Sequence, residues 1–214
     1  MTHPTIYLVD DHPLTRAGLR LALEGGLGAR VCGEASGVDE AAVAVGRLES
    51  QGAAPDLVIV DITLAGASGL DLVRRLRSMG GPPTLVVSMH DPDVYAARAE
   101  EAGASGFVAK SADDGELLRA ARAVLSGRTH FPVGASEAPP GGGVGALSDR
   151  ELEVYELLGQ GYAPRHIAEA LGLSVSTVEA YRRRVCWKLG VSSSALLARH
   201  AVAHVLEREG RATG

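Results

Sequence analysis

The chain's 214 residues, 46% hydrophobic and 22% charged, leave room for one large domain or two small ones and are too apolar for a mainly disordered protein. Its 21 basic and 26 acidic side chains give a net charge of −5, which excludes a uniformly basic nucleic-acid coat protein. Only two of the basic residues, Lys110 and Lys188, are lysines.

In chain order, residues 1–146 alternate short apolar runs with helical patterns. Strands are predicted over 5–9, 30–34, 57–60, 84–88 and 106–109, and helices over 14–24, 38–51, 70–78, 93–102 and 113–125. Five β/α units imply a doubly wound, five-stranded parallel sheet with helices on both faces. Residues 134–146 hold Pro139-Pro140 and Gly141-Gly142-Gly143, the composition of a flexible linker. Beyond it the pattern is all helix. Ser148-Asp149-Arg150-Glu151 is a capping box for a first helix, which Gly159 and Gly161 end. Pro164 opens a second helix that runs to about 171. Ser176-Thr177-Val178-Glu179 reads as another capping box near the start of a third helix, which ends at 188 or 189, and a fourth spans about 193–208. The second and third, joined by a short turn with Gly172, carry the helix-turn-helix signature. The expected domains are therefore 1–130, a linker over 131–146, and a small four-helix domain over 147–214. Charge divides the same way: 12 basic and 18 acidic residues up to 146, then 9 and 8.

Cys32 and Cys186 lie far apart, which argues against a disulfide scaffold and suits a reducing compartment. No apolar run approaches the roughly 18 residues of a membrane span, and Asp10-Asp11 precedes any long apolar region. A cytoplasmic protein without a membrane partner is expected.

Asp10, Asp11, Asp61, Ser88 and Lys110 all fall at or just past strand ends, the edge where doubly wound sheets bind ligands. Three carboxylates brought together repel and call for a hard divalent cation, with Mg²⁺ the best fit beside a phosphate. One carboxylate can then take a phosphoryl group as an acyl phosphate while Lys110 and Ser88 meet its oxygens.

On Asp10-Asp11, the segment 61–69, Ser88, Phe107 and Lys110, residues 3–130 resemble a response-regulator receiver domain. The resemblance implies that Asp61 is the phosphoacceptor, served by a histidine kinase or a small phosphodonor. It also implies that Asp10, Asp11 and Asp61 bind Mg²⁺, and that Ser88 and Phe107 form a switch pair. Two positions depart from the usual pattern, Ala65 and Ser111, where many receivers have Pro. Thr63 and His90 occupy positions that in receivers influence phosphate lifetime; the alternative is a solvated loop.

The third helix of the second half carries Arg182-Arg183-Arg184, with Val178, Val185 and Leu189 spaced for one buried face. With 147–151, Gly161, Ile167-Ala168, Leu171, 174–178 and 188–191, residues 147–209 resemble the LuxR-type helix-turn-helix of the NarL/FixJ class. That resemblance places 178–188 in the major groove of double-stranded DNA. Glu179, Ala180 and Arg183 would face bases, and Thr177, Arg182, Arg184 and Lys188 would meet phosphates. Arg183 suits a guanine; Glu179 either accepts from a cytosine amine or holds Arg183. Trp187 is either a partner contact or partly buried surface. A small helix-turn-helix needs paired half-sites, hence a homodimer, with Leu197, Ala201 and Val205 as seam candidates. RNA polymerase is a further expected partner. Phosphorylation is expected to free the DNA-binding domain, favour dimerisation, or both.

Two other readings compete. A Mg²⁺-dependent aspartyl phosphohydrolase would need a general acid or base and a substrate-binding insertion that the sequence does not offer. A phosphorylation-independent DNA-binding regulator would use the receiver for dimerisation alone.

Overall fold

The computed structural model describes residues 3–64, 67–90, 92–132 and 143–212. The chain divides into two compact units, Met1–Ala138 and Pro139–Gly214.

In the first unit, β1 (Thr5–Val9), β2 (Arg30–Ala35), β3 (Leu57–Val60), β6 (Thr84–Ser88) and β7 (Gly106–Ala109) form one parallel sheet in the order β2-β1-β3-β6-β7. The helices are α1 (Pro13–Leu27), α2 (Val38–Ser50), α3 (Gly69–Ser78), α4 (Pro92–Ala102) and α5 (Asp114–Leu125). All five predicted strands and helices are present. The order reverses at β1, which pairs with both β2 and β3. β3, apolar throughout, and β6, apolar over Leu85-Val86-Val87, are buried along their whole length, as strands covered on both faces must be. Ile6, Leu8, Ile59, Leu85 and Val87 meet Leu23 of α1 and Leu117 of α5 in one core cluster.

A two-stranded hairpin, β4 (Thr63–Leu64) and β5 (Ala67–Ser68), follows Asp61 and was not predicted. Ala65 lies outside the described residues. Ser68 then caps α3, accepting from Leu70 N at 3.3 Å. Gly69 is needed here, because a Cβ would come within 1.8 Å of the Asp61 carbonyl oxygen.

The second unit contains α6 (Asp149–Gly159), α7 (Pro164–Ala170), α8 (Val175–Leu189) and α9 (Ser194–Ala212). The Ser148–Glu151 capping box is present, and Pro164 opens α7 as expected. The cap of α8 differs from expectation. Ser174, not Ser176, accepts from Thr177 N, while the Ser176 hydroxyl bonds to Ser174. The linker expectation needs narrowing as well. Residues 133–142 lie outside the described residues, but Gly143–Ala146 form a 3-10 turn packed on α8. α6 packs against α8 and α9, and Gly159 permits the closest approach: a Cβ there would stand 2.6 Å from the Ala201 carbonyl.

Candidate phosphoacceptor site and DNA-facing helix

The β1–β3 switch point brings Asp10 and Asp61 to adjacent strand ends. Asp61 N donates to the Val9 carbonyl at 2.8 Å, and Asp10 N to that of Ala35 at 3.2 Å. Both carboxylates are buried, at 1% and 4% exposure. Lys110, just past β7, reaches between them, with Nζ 2.7 Å from Asp10 Oδ2 and 2.6 Å from Asp61 Oδ2. Carboxylate oxygens of Asp10, Asp11 and Asp61 and a ring nitrogen of His12 all lie within 4.8 Å of one another.

Two buried carboxylates share one ammonium here. Burial pushes the Asp61 carboxyl above its ordinary pKa, against the pull of Lys110. Burial also works against the Lys110 ammonium, but the charges and hydrogen bonds of Asp61 and Asp10 hold its pKa above the ordinary lysine value. The site is short of positive charge, and its donors are three hard carboxylate oxygens with the His12 ring nitrogen beside them.

Ser88 is fully buried at the end of β6. Its hydroxyl oxygen accepts from His90 N at 3.2 Å, and its carbonyl accepts from Lys110 N at 2.7 Å. Phe107 is buried, and its amide donates to the His130 carbonyl at 2.8 Å. Thr63 and His90 are brought together: Thr63 Oγ1 is 2.9 Å from His90 Nε2, and the His90 ring stacks on Tyr95 with centroids 4.3 Å apart. Thr63 N also donates to Asp61 Oδ1 at 3.3 Å, which ties this pair to the acidic group through the Thr63 backbone.

Sequence reasoning missed three members of the site. His12 donates its amide to Asp10 Oδ1 at 2.7 Å and holds Asp11 Oδ1 through Nδ1 at 2.7 Å. Arg16 donates to the Asp10 carbonyl at 2.5 Å and pairs with Glu34. Tyr95 backs His90. Only His12 carried a signal, by adjacency to Asp10-Asp11.

On α8, Val178 and Val185 face the core, while Arg183 and Arg184 are exposed. The structure redistributes several predicted DNA contacts. Glu179 does not hold Arg183; it pairs with Arg182 at 2.5 Å. The Arg184 guanidinium lies 5.5 Å from the centroid of Tyr181, which is half-buried. Thr177 is hydrogen-bonded to Ser174 at 2.7 Å, and Ala180 is half-exposed. Lys188, expected on a phosphate, instead turns into its own domain. Its Nζ donates to Glu151 Oε2 at 2.6 Å and to the Ala146 carbonyl at 3.2 Å. Trp187 is 83% exposed, which removes the partly buried alternative.

The seam prediction on α9 also changes. Leu197 and Ala201 are fully buried in the domain's own core, and Val205 is half-buried beside Gly159. Among the described residues, the exposed large apolar side chains of α9 are Leu196, Val202 and Leu206. The helix is apolar on more than one face, so spacing alone did not fix which face turned inward.

A doubly wound domain with three carboxylates and a lysine at its switch point, on the same chain as a helix-turn-helix domain, defines a signal-receiving transcription regulator. Residues 6–122 match the response regulator receiver domain, and residues 145–201 match the bacterial regulatory proteins of the luxR family. The chain belongs to the LuxR-family response regulators. A relative from Pseudomonas aeruginosa is 39% identical over 209 residues, covering 94% of this chain and 98% of that one. Response regulator UvrY of Escherichia coli (strain K12) is 33% identical over 211 residues, 94% of each chain. The crystal structure of the response regulator ChrA, from a heme-sensing two-component system, superposes with a TM-score of 0.52 at 31% identity, covering 96% of this chain and all of that one. The protein is thus a response regulator with a receiver and a LuxR-type DNA-binding domain, and its function is transcription regulation. Among the described residues no helix is long and apolar enough to cross a membrane.

Proposed function

We propose that Asp61 is the phosphoacceptor and that its acyl phosphate controls DNA binding by α8. The observation that carries this reading is the buried Asp61 carboxylate 2.6 Å from Lys110 Nζ, beside Asp10, at the sheet's switch point. An Asp61 oxygen attacks the phosphorus of a phosphohistidine on a cognate kinase, or of a small acyl phosphate. The P–N or P–O bond breaks, and the leaving group departs with its electron pair. Lys110 then moves from a carboxylate partner to a phosphoryl oxygen, and the Ser88 hydroxyl, whose hydrogen is not engaged by His90 N, donates to another. Asp10, Asp11 and Asp61 fit Mg²⁺ by their donor set, three carboxylates with oxygens within 4.8 Å against one ammonium. Bound there, Mg²⁺ would neutralise charge on the phosphoryl oxygens. Phe107 is the switch partner of Ser88. Thr63, bonded to Asp61 through its amide, and its partner His90 set a slow rate of autodephosphorylation.

The domains in this reading are 1–130 and 147–214, joined by residues 131–146, of which Gly143–Ala146 pack on α8, and the protein works in the cytoplasm. Arg183 reads bases, and Thr177, Ala180 and Arg184 line the same approach. Glu179 and Arg182 act as a pair. Lys188 drops out of the DNA contacts. A homodimer on paired half-sites uses the exposed Val202 and Leu206 with Val205 at their edge, and the DNA-bound dimer presents itself to RNA polymerase. The test is labelling by kinase or acetyl phosphate. Asp61→Asn should abolish it while leaving the fold intact by circular dichroism. Undiminished labelling of the folded variant would place the phosphoacceptor elsewhere.

A further inference from the structure

Trp187 is the chain's one tryptophan, and its side chain is 83% exposed. At 3.6 residues per turn, Ser176, Ala180, Arg183 and Trp187 fall within an arc of about 60° along α8. Val178 and Val185, both fully buried, sit on the opposite side. The indole therefore continues the stripe that carries Arg183, about 6 Å further along the helix axis. Lys188, the cation next to it in sequence, is turned away onto Glu151.

We propose that Trp187 is a DNA-contacting residue that packs on the edge of each half-site. This inference rests on the reading of α8 as the helix that enters the major groove. In such a helix the N-terminal residues meet base edges, so a residue 12 positions into α8 stands at the groove's rim. The surfaces available there are thymine methyl groups, deoxyribose faces and phosphate oxygens. An indole offers one flat apolar face for the first two and an N–H donor for the third. Charge favours DNA over an apolar protein patch as the occupant. Arg183 and Arg184 are both exposed within one turn of Trp187, and two guanidinium groups beside an apolar docking face would have to be desolvated by a protein partner. A polyanion pairs them instead.

The single tryptophan makes the test direct. Emission of the full-length protein, excited beyond the tyrosine band, reports Trp187 alone. We expect acrylamide to quench it nearly as readily as free indole, both with and without acetyl phosphate. Adding a duplex selected by the protein from a random-sequence pool should then lower the quenching constant severalfold. Trp187→Ala should weaken binding of that duplex about five- to tenfold, as burial of part of an indole face implies. The dependence of affinity on salt should stay unchanged, because no phosphate charge pair is lost. Quenching that is unaffected by bound duplex overturns the proposal. So does protection that appears on phosphorylation before any DNA is added, which would assign the indole to a protein interface. Arg183→Ala separates the two levels. If it leaves binding intact, the reading of α8 fails. If it weakens binding while Trp187 stays quenchable and Trp187→Ala binds as the parent does, the tryptophan inference alone fails.

Discussion

Replacing Lys188 with Ala distinguishes a DNA contact from a pin within the domain. The Glu151 carboxylate it holds is buried, at 4% exposure, and the ion pair links the C-terminal end of α8 to the capping box of α6. Removing one partner of a fully buried pair costs about 3–5 kcal/mol, and a fully exposed pair contributes about 0–1 kcal/mol. Lys188 is itself partly exposed, and Glu151 keeps a hydrogen bond from Ser148 N at 2.8 Å. An intermediate loss of about 2 kcal/mol follows, roughly 10 °C in the Tm of a domain this small. The assay is calorimetric unfolding of the full chain, paired with DNA affinity as a function of salt. The C-terminal transition should fall while the salt slope stays constant. An unchanged transition, with the slope reduced by about 0.9, would make Lys188 a phosphate contact and refute the reasoning. The pH dependence has a definite sign. Burial works against the Glu151 carboxylate, but hydrogen bonds from Lys188 and Ser148 hold its pKa below the ordinary glutamate value. Stability from such a group is complete above its unfolded pKa and lost as pH falls through its folded one. The gap between parent and variant should therefore close in acid.

Three further outcomes are expected. Gly106→Ala should destabilise the receiver by about 1–3 kcal/mol and speed hydrogen exchange at the Phe107 amide, since the new Cβ meets the His130 carbonyl at 2.7 Å where Phe107 N donates. Leu197→Ala should cost about 2–5 kcal/mol of stability. Leu206→Asp should leave stability nearly unchanged, as its exposure implies, and should weaken self-association in sedimentation if the proposed α9 seam is the dimer contact. Mg²⁺ should raise the receiver's Tm more at neutral pH than in acid. Burial raises the Asp61 pKa, so protons compete with the metal as pH falls, and Asp10→Asn should remove most of the shift.

The receiver was legible because its signals are local and repeated. Apolar runs such as Leu57–Val60 fix the strands, and a doubly wound sheet obliges Asp10, Asp61, Ser88 and Lys110 to share one edge whatever their spacing. The hairpin after Asp61 had no such signal, since two-residue strands are too short to leave a periodic pattern. The cap of α8 was ambiguous because Ser174 and Ser176 both precede plausible partners; Val175 lies inside the helix, which only the backbone reveals. The long-range ion pairs were illegible for a plainer reason. Glu151 and Lys188 are 37 residues apart, and no periodicity links an N-terminal cap to the end of another helix.

The two lysines gain a common explanation from these contacts. In a chain otherwise supplied with arginine, each ammonium sits where one nitrogen must serve two acceptors at once. For Lys110 these are Asp10 and Asp61, and for Lys188 the Glu151 carboxylate and the Ala146 carbonyl. An ammonium presents three donors from a point, whereas a guanidinium presents a planar fork that needs more room and coplanar acceptors. A guanidinium in place of the Lys110 ammonium would also have to set its plane between two carboxylates that a phosphoryl group must later approach. Lys110→Arg should therefore keep the site's charge and yet lose most labelling by acetyl phosphate, with the receiver's Tm little changed. Lys188→Arg should recover only part of the stability that Lys188→Ala loses. If Lys110→Arg accepts phosphate at the parent's rate, position 110 requires only a cation, and the geometric reason for lysine there is wrong.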